Sequence, residues 1–245
     1  MRRLHCLTGL ILLLFATQVF AGQFEQGAAA ANRGDYATAL KIWRPLAWRG
    51  DVKAQFNLGV MYHQGLGVRK NDRETAKWWH RAAERGYARA QTNLGNMYQY
   101  GLGVPKNYKA AAKWYRHAAS KGDAQAQYNL GFMAWKGIGI RRNNHQAMHW
   151  FRRAANRGDV NAQFNLGVMY EHGQGVTRNR VAAYALYNLI VAQHHQHKSL
   201  ASAYRDSLAR KLPARAIRTG KALTKRLLVS RPMTRALDAY LAKHK

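Results

Sequence analysis

Cysteine is nearly absent: there is one, Cys6, in 245 residues, and it lies in a segment expected to be removed. Arg2 and Arg3 precede an apolar run from Leu7 to Ala16, and Val19-Phe20-Ala21 puts small residues at the two positions a signal peptidase reads. The run falls short of the roughly 20 residues that span a bilayer, which favours cleavage over retention as an anchor. Residues 1–21 are therefore expected to be a signal peptide. The mature chain then begins near Gly22, is periplasmic or secreted, and keeps no transmembrane anchor. Cys6 sits too early, behind the wrong residues, to be a lipid-anchor cysteine. Without it the chain has no disulfide, no thiolate metal site and no cysteine nucleophile.

Acid is scarce as well. The chain has 40 Lys and Arg against 11 Asp and Glu, and losing Arg2 and Arg3 leaves 38 against 11, a net charge of +27. From Gln196 to Lys245 there are 13 basic and 2 acidic residues. Such a field draws polyanions in a salt-dependent way, and two readings stay open: a solvated surface, or a functional one. For an exported protein the polyanions within reach are lipopolysaccharide, anionic headgroups, acidic glycan and acidic proteins. Nucleic acid would bind through phosphate neutralisation, but it is not an expected partner outside the cytoplasm.

The equipment of catalysis is missing too. There is no G-x-S-x-G, no H-E-x-x-H and no phosphate-binding Gly-rich loop. Asp72 and Glu74 fall at a helix start, where negative charge suits the dipole, and Asp123 and Asp159 fall in turns; none forms a recurring pair for proton transfer. Neither an enzyme nor a cofactor is expected. His194, His195 and His197 form the one metal-like tract, without a fourth ligand or second shell visible in sequence. The other reading of the tract is a polar inter-helix turn. His63, His80, His117, His145, His149 and His172 share no column.

What the sequence does have is a period. Ala54, Ala90, Ala126 and Ala162 each open a copy of one 36-residue pattern. Its columns run Leu58, Leu94, Leu130, Leu166, then Gly59, Gly95, Gly131, Gly167, then paired glycines at 65/67, 101/103, 137/139 and 173/175. A fixed period of this length marks a stacked array. Each unit reads as two helices. In the first, Ala54, Leu58 and Tyr62 share a face, Gly59 lets a neighbour come close, and Gly65 ends the helix in a left-handed position. Asn71, Asn107, Asn143 and Asn179 then cap the second helix. Its stripe is Ala76, Trp79 and Ala83 with Trp78 and Ala82, matched by Trp114, Tyr115, Ala118 and Ala119, and by Trp150, Phe151, Ala154 and Ala155. The basic-aromatic pairs Lys77-Trp78-Trp79 and Lys113-Trp114-Tyr115-Arg116 look like base-stacking platforms, but they occupy packing columns and are read as core.

The pattern A-x-x-x-L-G-x-x-Y-x-x-G-x-G-V, a cap, then A-x-x-W-[WYF]-x-x-A-A-x-x-G resembles the Sel1-like repeat, a relative of the tetratricopeptide repeat. Three departures stand out. Asn replaces the family's usual Asp at all four caps, Thr75 replaces a small Ala, and Ala134 replaces a Tyr found at Tyr62, Tyr98 and Tyr170, which leaves a gap or makes room for something. The resemblance implies an all-α, right-handed α-solenoid of helix pairs. The expected divisions are a signal peptide at 1–21, a degenerate N-terminal capping repeat at 22–53, repeats at 54–89, 90–125, 126–161 and 162–195, and a basic C-terminal helical cap at 196–245. In that cap Tyr204, Leu208 and Leu212 mark one helix and Ile217, Leu223 and Leu227 another after Pro213. The stretch from Arg205 to Ile217 resembles the tail of exported family members, and residues from Arg231 onward are expected to be loosely held.

The resemblance further implies a non-enzymatic scaffold or adaptor of the bacterial cell envelope that holds a protein partner in its concave groove. The alternative is a polyanion-binding module, taking lipopolysaccharide or acidic glycan on its basic face and tail. On the first helix the residues at 53, 56, 60, 63 and 64 face away from the second helix. The groove candidates are Phe56 and His63 in the first full unit and Asn96, Gln99 and Tyr100 in the second. The third gives Tyr128, Phe132, Trp135 and Lys136, and the fourth gives Phe164, Glu171 and His172. Exposed aromatics suit an interface anchor; the competing reading packs several against the next repeat. Trp135 and Tyr100 are the stronger candidates, because their column varies while the packing columns do not.

Overall fold

A computed structural model describes residues 22–193 and 198–244. The expected signal peptide and the His194, His195 and His197 tract fall outside the described residues. Among those residues there are helices and no strands. The chain divides into two compact units that meet in sequence between Asn107 and Tyr108.

The first unit holds α1 (22–32), α2 (Tyr36–Trp48), α3 (Val52–Gln64), α4 (Asp72–Glu84) and α5 (Ala88–Tyr100). The second holds α6 (Tyr108–Ser120), α7 (Ala124–Lys136), α8 (Asn144–Asn156), α9 (Val160–His172), α10 (Arg180–Gln193), α11 (Lys198–Ala209), α12 (Ala214–Val229) and α13 (Met233–Lys243). From α2 to α9 every helix has 13 residues. The equal lengths follow from punctuation repeated at a fixed spacing. Asp51, Asp123 and Asp159 cap the first helices by accepting from the N–H of Ala54, Ala126 and Ala162 at 2.7, 2.8 and 2.7 Å. Gly65, Gly101, Gly137 and Gly173 end them with φ between 72° and 76°, where a side chain is disfavoured. Asn71, Asn143 and Asn179 cap the second helices by accepting from the N–H of Glu74, Gln146 and Ala182. The first helices start at Val52, Ala88, Ala124 and Val160, two residues ahead of the Ala column. Asp51 sets that start; Ala54 is the first residue to be buried, not the first to be helical.

From α2 to α5 and from α6 to α11 consecutive helices pack pairwise, and α12 packs on α10 and α13. Leu58 and Leu94 in the first unit, and Leu130 and Leu166 in the second, are buried, each contributing about 1.5–3 kcal/mol of transfer free energy. The glycine at the middle of the first helix admits the aromatic of its own second helix. A Cβ on Gly167 would lie 2.5 Å from the Tyr187 ring, and one on Gly131 would lie 2.9 Å from the Phe151 ring. Trp79, Tyr115, Phe151 and Tyr187 form that buried aromatic column. Trp78 is buried beside it, whereas Trp114 and Trp150 are half-exposed, so the second aromatic column is core only in part.

The C-terminal residues differ from the expectation of a loose end. Met233, Leu237 and Tyr240 make a buried stripe on α13, and the helix returns to α8. Arg152 Nη2 pairs with both carboxylate oxygens of Asp238 at 2.6 Å, and its Nη1 donates to the Tyr170 hydroxyl at 3.3 Å. This docking buries Tyr170, whereas Tyr62 and Tyr98 stay half-exposed. Ala134 is itself 1% exposed. Its site is covered rather than open.

Candidate functional site

Each unit presents the outward face of its first helices, and the groove candidates divide into two groups there. Phe56 stacks on Trp79 at 6.1 Å and meets Tyr87 edge-on at 5.1 Å. Tyr128 lies 5.9 Å from Phe151. Phe164 lies 5.4 Å from Tyr187 and 4.9 Å from Tyr204 of α11. These three are walls of the packing, each pressed on the aromatic column. His63 lies 5.4 Å from the Trp79 ring, with its Nδ1 3.6 Å from Asp72 Oδ1. Glu171 accepts from the Tyr187 hydroxyl at 3.0 Å. Burial, and then the neighbouring Glu171 carboxylate, pushes that phenol far above the ordinary tyrosine range.

The second group stays accessible. Tyr100 is 64% exposed, Asn96 and Gln99 beside it are half-exposed, and His172 is exposed. Trp135 is half-buried, edge-on to Phe132 at 6.2 Å and to Phe151 at 6.3 Å. Its Nε1 donates to Gln174 Oε1 at 2.8 Å, and Lys136 Nζ lies 4.0 Å above its ring. Held at one edge by Gln174, the indole is a fixed platform topped by a cation.

One column on this face was missed in the sequence. Asn57, Asn93, Asn129 and Asn165 precede the Leu column at the same 36-residue spacing, in mid-helix, where Asn is a poor former that offers no cap. Asn57, Asn93 and Asn129 are half-exposed, and Asn165 is 9% exposed. Asn129 Oδ1 accepts from Gln125 Nε2 at 3.1 Å. The side chains of Asn57, Asn93 and Asn165 have no hydrogen-bond partner among the described residues. In the first unit Asn57 and Val60 line a cleft of about 230 Å³ against Asn32, Ala28 and Ala31 of α1. The column was legible from its constancy alone, since neither packing nor capping accounts for it.

Off this face, Trp48 at the end of α2 is 62% exposed, edge-on to Trp78 at 5.2 Å, with the Arg81 guanidinium 4.3 Å from its ring. Nothing periodic marks it, because its column continues as Glu84, Ser120 and Asn156. No group of three His, Cys, Asp or Glu suited to a metal occurs among the described residues. No helix among them is long and apolar enough to cross a membrane.

The family model of the Sel1 repeat matches residues 52–87, 88–123, 124–159 and 160–195. Among solved structures the chain is similar to a protective antigen present in uropathogenic Escherichia coli strains that displays an SLR fold. The identity is 31% and the TM-score 0.76, over 92% of this chain and 48% of that one. The chain thus spans about half the length of that relative. It is also similar to a Sel1 repeat protein from Oxalobacter formigenes, with 29% identity and a TM-score of 0.69, over 80% of this chain and 88% of that one. No curated protein matches the chain significantly.

Proposed function

The chain belongs to the Sel1 repeat family, an all-α solenoid class whose repeats generally mediate protein–protein interaction and are generally non-catalytic, and from that premise we propose that it is a cell-envelope adaptor. In this reading a protein partner lies along the outward face of the first helices. The observation that carries it is the Asn column. A side-chain amide offers two donors and one acceptor, the complement of a peptide group, and Asn57, Asn93 and Asn165 leave theirs unused among the described residues. In the first unit a partner's extended main chain meets Asn57 and Asn93 while Tyr100 takes a side chain; in the second unit Asn165 offers the amide and Trp135 with Lys136 the platform. Phe56, Tyr128 and Phe164 support that face from beneath. What supports the envelope location is the signal peptide expected at 1–21.

Recovery of a partner from envelope extract tests this reading. Trp135→Ala with Tyr100→Ala, and separately Asn57→Ala with Asn93→Ala, are expected to abolish a recovery that the parent protein shows. Undiminished recovery by both pairs would remove this face from the function.

A second reading, polyanion binding, is favoured by the loops between first and second helices in the second unit. Arg141, Arg142 and Arg178 are exposed there, with Arg180 at the start of α10, and all four are unpaired among the described residues, with no carboxylate in those loops. Retention on immobilised heparin or lipopolysaccharide should then collapse with salt, whereas an aromatic-anchored protein interface should persist.

A further inference from the structure

Away from the first-helix face, the second unit contains a cleft of about 560 Å³. It opens where the turn between α8 and α9 meets α10, the end of α12 and the start of α13. Leu189, Leu227 and Met233 give it apolar ground. Asn156 fixes one wall: its Nδ2 donates to Thr234 Oγ1, and the Thr234 N–H donates to its Oδ1, both at 2.9 Å. The exposed Arg231 stands at the rim, Arg157 lines the cleft with its guanidinium packed against Gly122, and no carboxylate among the described residues lines it. Arg231 Nη1 is steadied by the carbonyls of Leu228 and Ser230 at 3.3 and 3.1 Å. That engages at most two of the five N–H donors of its guanidinium.

Gln163 sets this cleft apart from its equivalents in the other repeats. Gln55, Gln91 and Gln127, in the same column, donate Nε2 to the carbonyls of Ala47, Ala83 and Ala119 at 2.9, 2.9 and 3.0 Å. Their Oε1 atoms are buried without a partner, as is that of Gln163. At Gln163 the Nε2 bond is also missing, so its whole amide lines the cleft without a partner among the described residues while only 4% exposed. A buried amide is costly to leave unpaired. Here it shares the cleft with Arg231 and an apolar floor.

From this arrangement we infer that the cleft is a binding site for an N-acylated amino-acid carboxylate with an apolar side chain. The carboxylate is met by Arg231. The adjoining amide N–H and C=O pair with Gln163, and the side chain rests on Leu189, Leu227 and Met233. Two sources share this chemistry: the C-terminal residue of a polypeptide, and a free N-acyl amino acid. The inference does not depend on the partner proposed for the first-helix face.

The test follows the Met233 methyl resonance in methionine-labelled protein. Its probes are N-acetyl-L-leucine, N-acetyl-L-leucinamide, and an acetylated hexapeptide ending in leucine with a free or an amidated C-terminus. The free acids are expected to shift the resonance saturably. Amidation is expected to weaken binding at least about tenfold, ~1.4 kcal/mol. Arg231→Gln and Gln163→Leu should weaken it comparably, and Trp135→Ala should leave it unchanged. Circular dichroism identifies any variant that fails to fold, and the exposed Arg231 keeps the test valid if Gln163→Leu does. A response to the hexapeptide alone assigns a polypeptide C-terminus; a response to N-acetyl-leucine alone assigns a free N-acyl amino acid. No shift with either acid, equal binding of acid and amide, or unaltered binding by a folded Arg231→Gln protein would overturn the inference.

Discussion

Gly59 in α3 faces Trp79, and an alanine there sets two effects of known sign against each other. In a helix interior Ala is favoured over Gly by about 0.8–1.0 kcal/mol, so on propensity alone Gly59→Ala stabilises. The new Cβ, however, falls inside the van der Waals envelope of the Trp79 indole. That ring is buried, it donates Nε1–H to the Phe56 carbonyl at 3.1 Å, and it stacks on Phe56. It cannot move without giving up the bond, worth about 0.5–1.5 kcal/mol. Overpacking of a filled core costs about 1–3 kcal/mol. The losses exceed the gain, leaving a net destabilisation of about 1–3 kcal/mol. For a chain of this size that lowers the melting temperature by roughly 3–10 °C. Gly131→Ala makes a useful comparison: its Cβ would meet the Phe151 ring at 2.9 Å, and that ring has no polar atom to lose a bond. Its expected change is smaller, within about 1 kcal/mol of neutral. Thermal unfolding by circular dichroism reads both. A Gly59→Ala protein that melts at or above the parent temperature refutes the reasoning, because the helix pair would then tolerate the methyl group.

Asn71→Ala removes the acceptor for the N–H groups of Arg73 and Glu74 and is expected to cost about 0.5–2 kcal/mol in a urea titration. Asp238→Asn loosens α13 from Arg152; because Asp238 is more than half exposed, the cost is expected to be about 0.2–1 kcal/mol. Faster amide exchange confined to α13 would be its signature. The Tyr187 phenol has its pKa raised in the folded state by burial and by Glu171. The folded chain therefore holds this proton where the unfolded chain, with a value near 10.0, releases it. Its contribution to stability is complete below that value and declines as pH rises beyond it. Tyr187→Phe is expected to lessen that alkaline decline without abolishing it, since Tyr170 and Tyr240 are raised too. Urea midpoints between pH 8 and 11.5 measure it.

Most of the fold was legible because each repeat states the same punctuation. A Gly before a left-handed turn, an Asn before an apolar run and a Gly opposite an aromatic each carry a local physical reason, and four copies separate them from coincidence. The site was legible only in part. A helical wheel places residue 56 and its equivalents at the margin of the outward face. Whether Phe56, Tyr128 and Phe164 turn inward depends on how far the aromatics at 79, 151 and 187 reach, and no single helix records that. The docking of α13 was hidden for a related reason: Arg152 and Asp238 are 86 residues apart, and no local pattern joins them. The Asn column was in view throughout; its meaning required knowing that the side chains of Asn57, Asn93 and Asn165 have no partner among the described residues.

The adaptor reading is tested most directly by placing a photo-crosslinking amino acid at Tyr100, at Trp135 and at the exposed Val229 of α12, then irradiating living cells. The expected result is one discrete protein adduct at positions 100 and 135, absent at 229 and lost when Asn57 and Asn93 are changed to alanine. Adducts at position 229 alone, or at 100 and 135 with the asparagine changes making no difference, would contradict it.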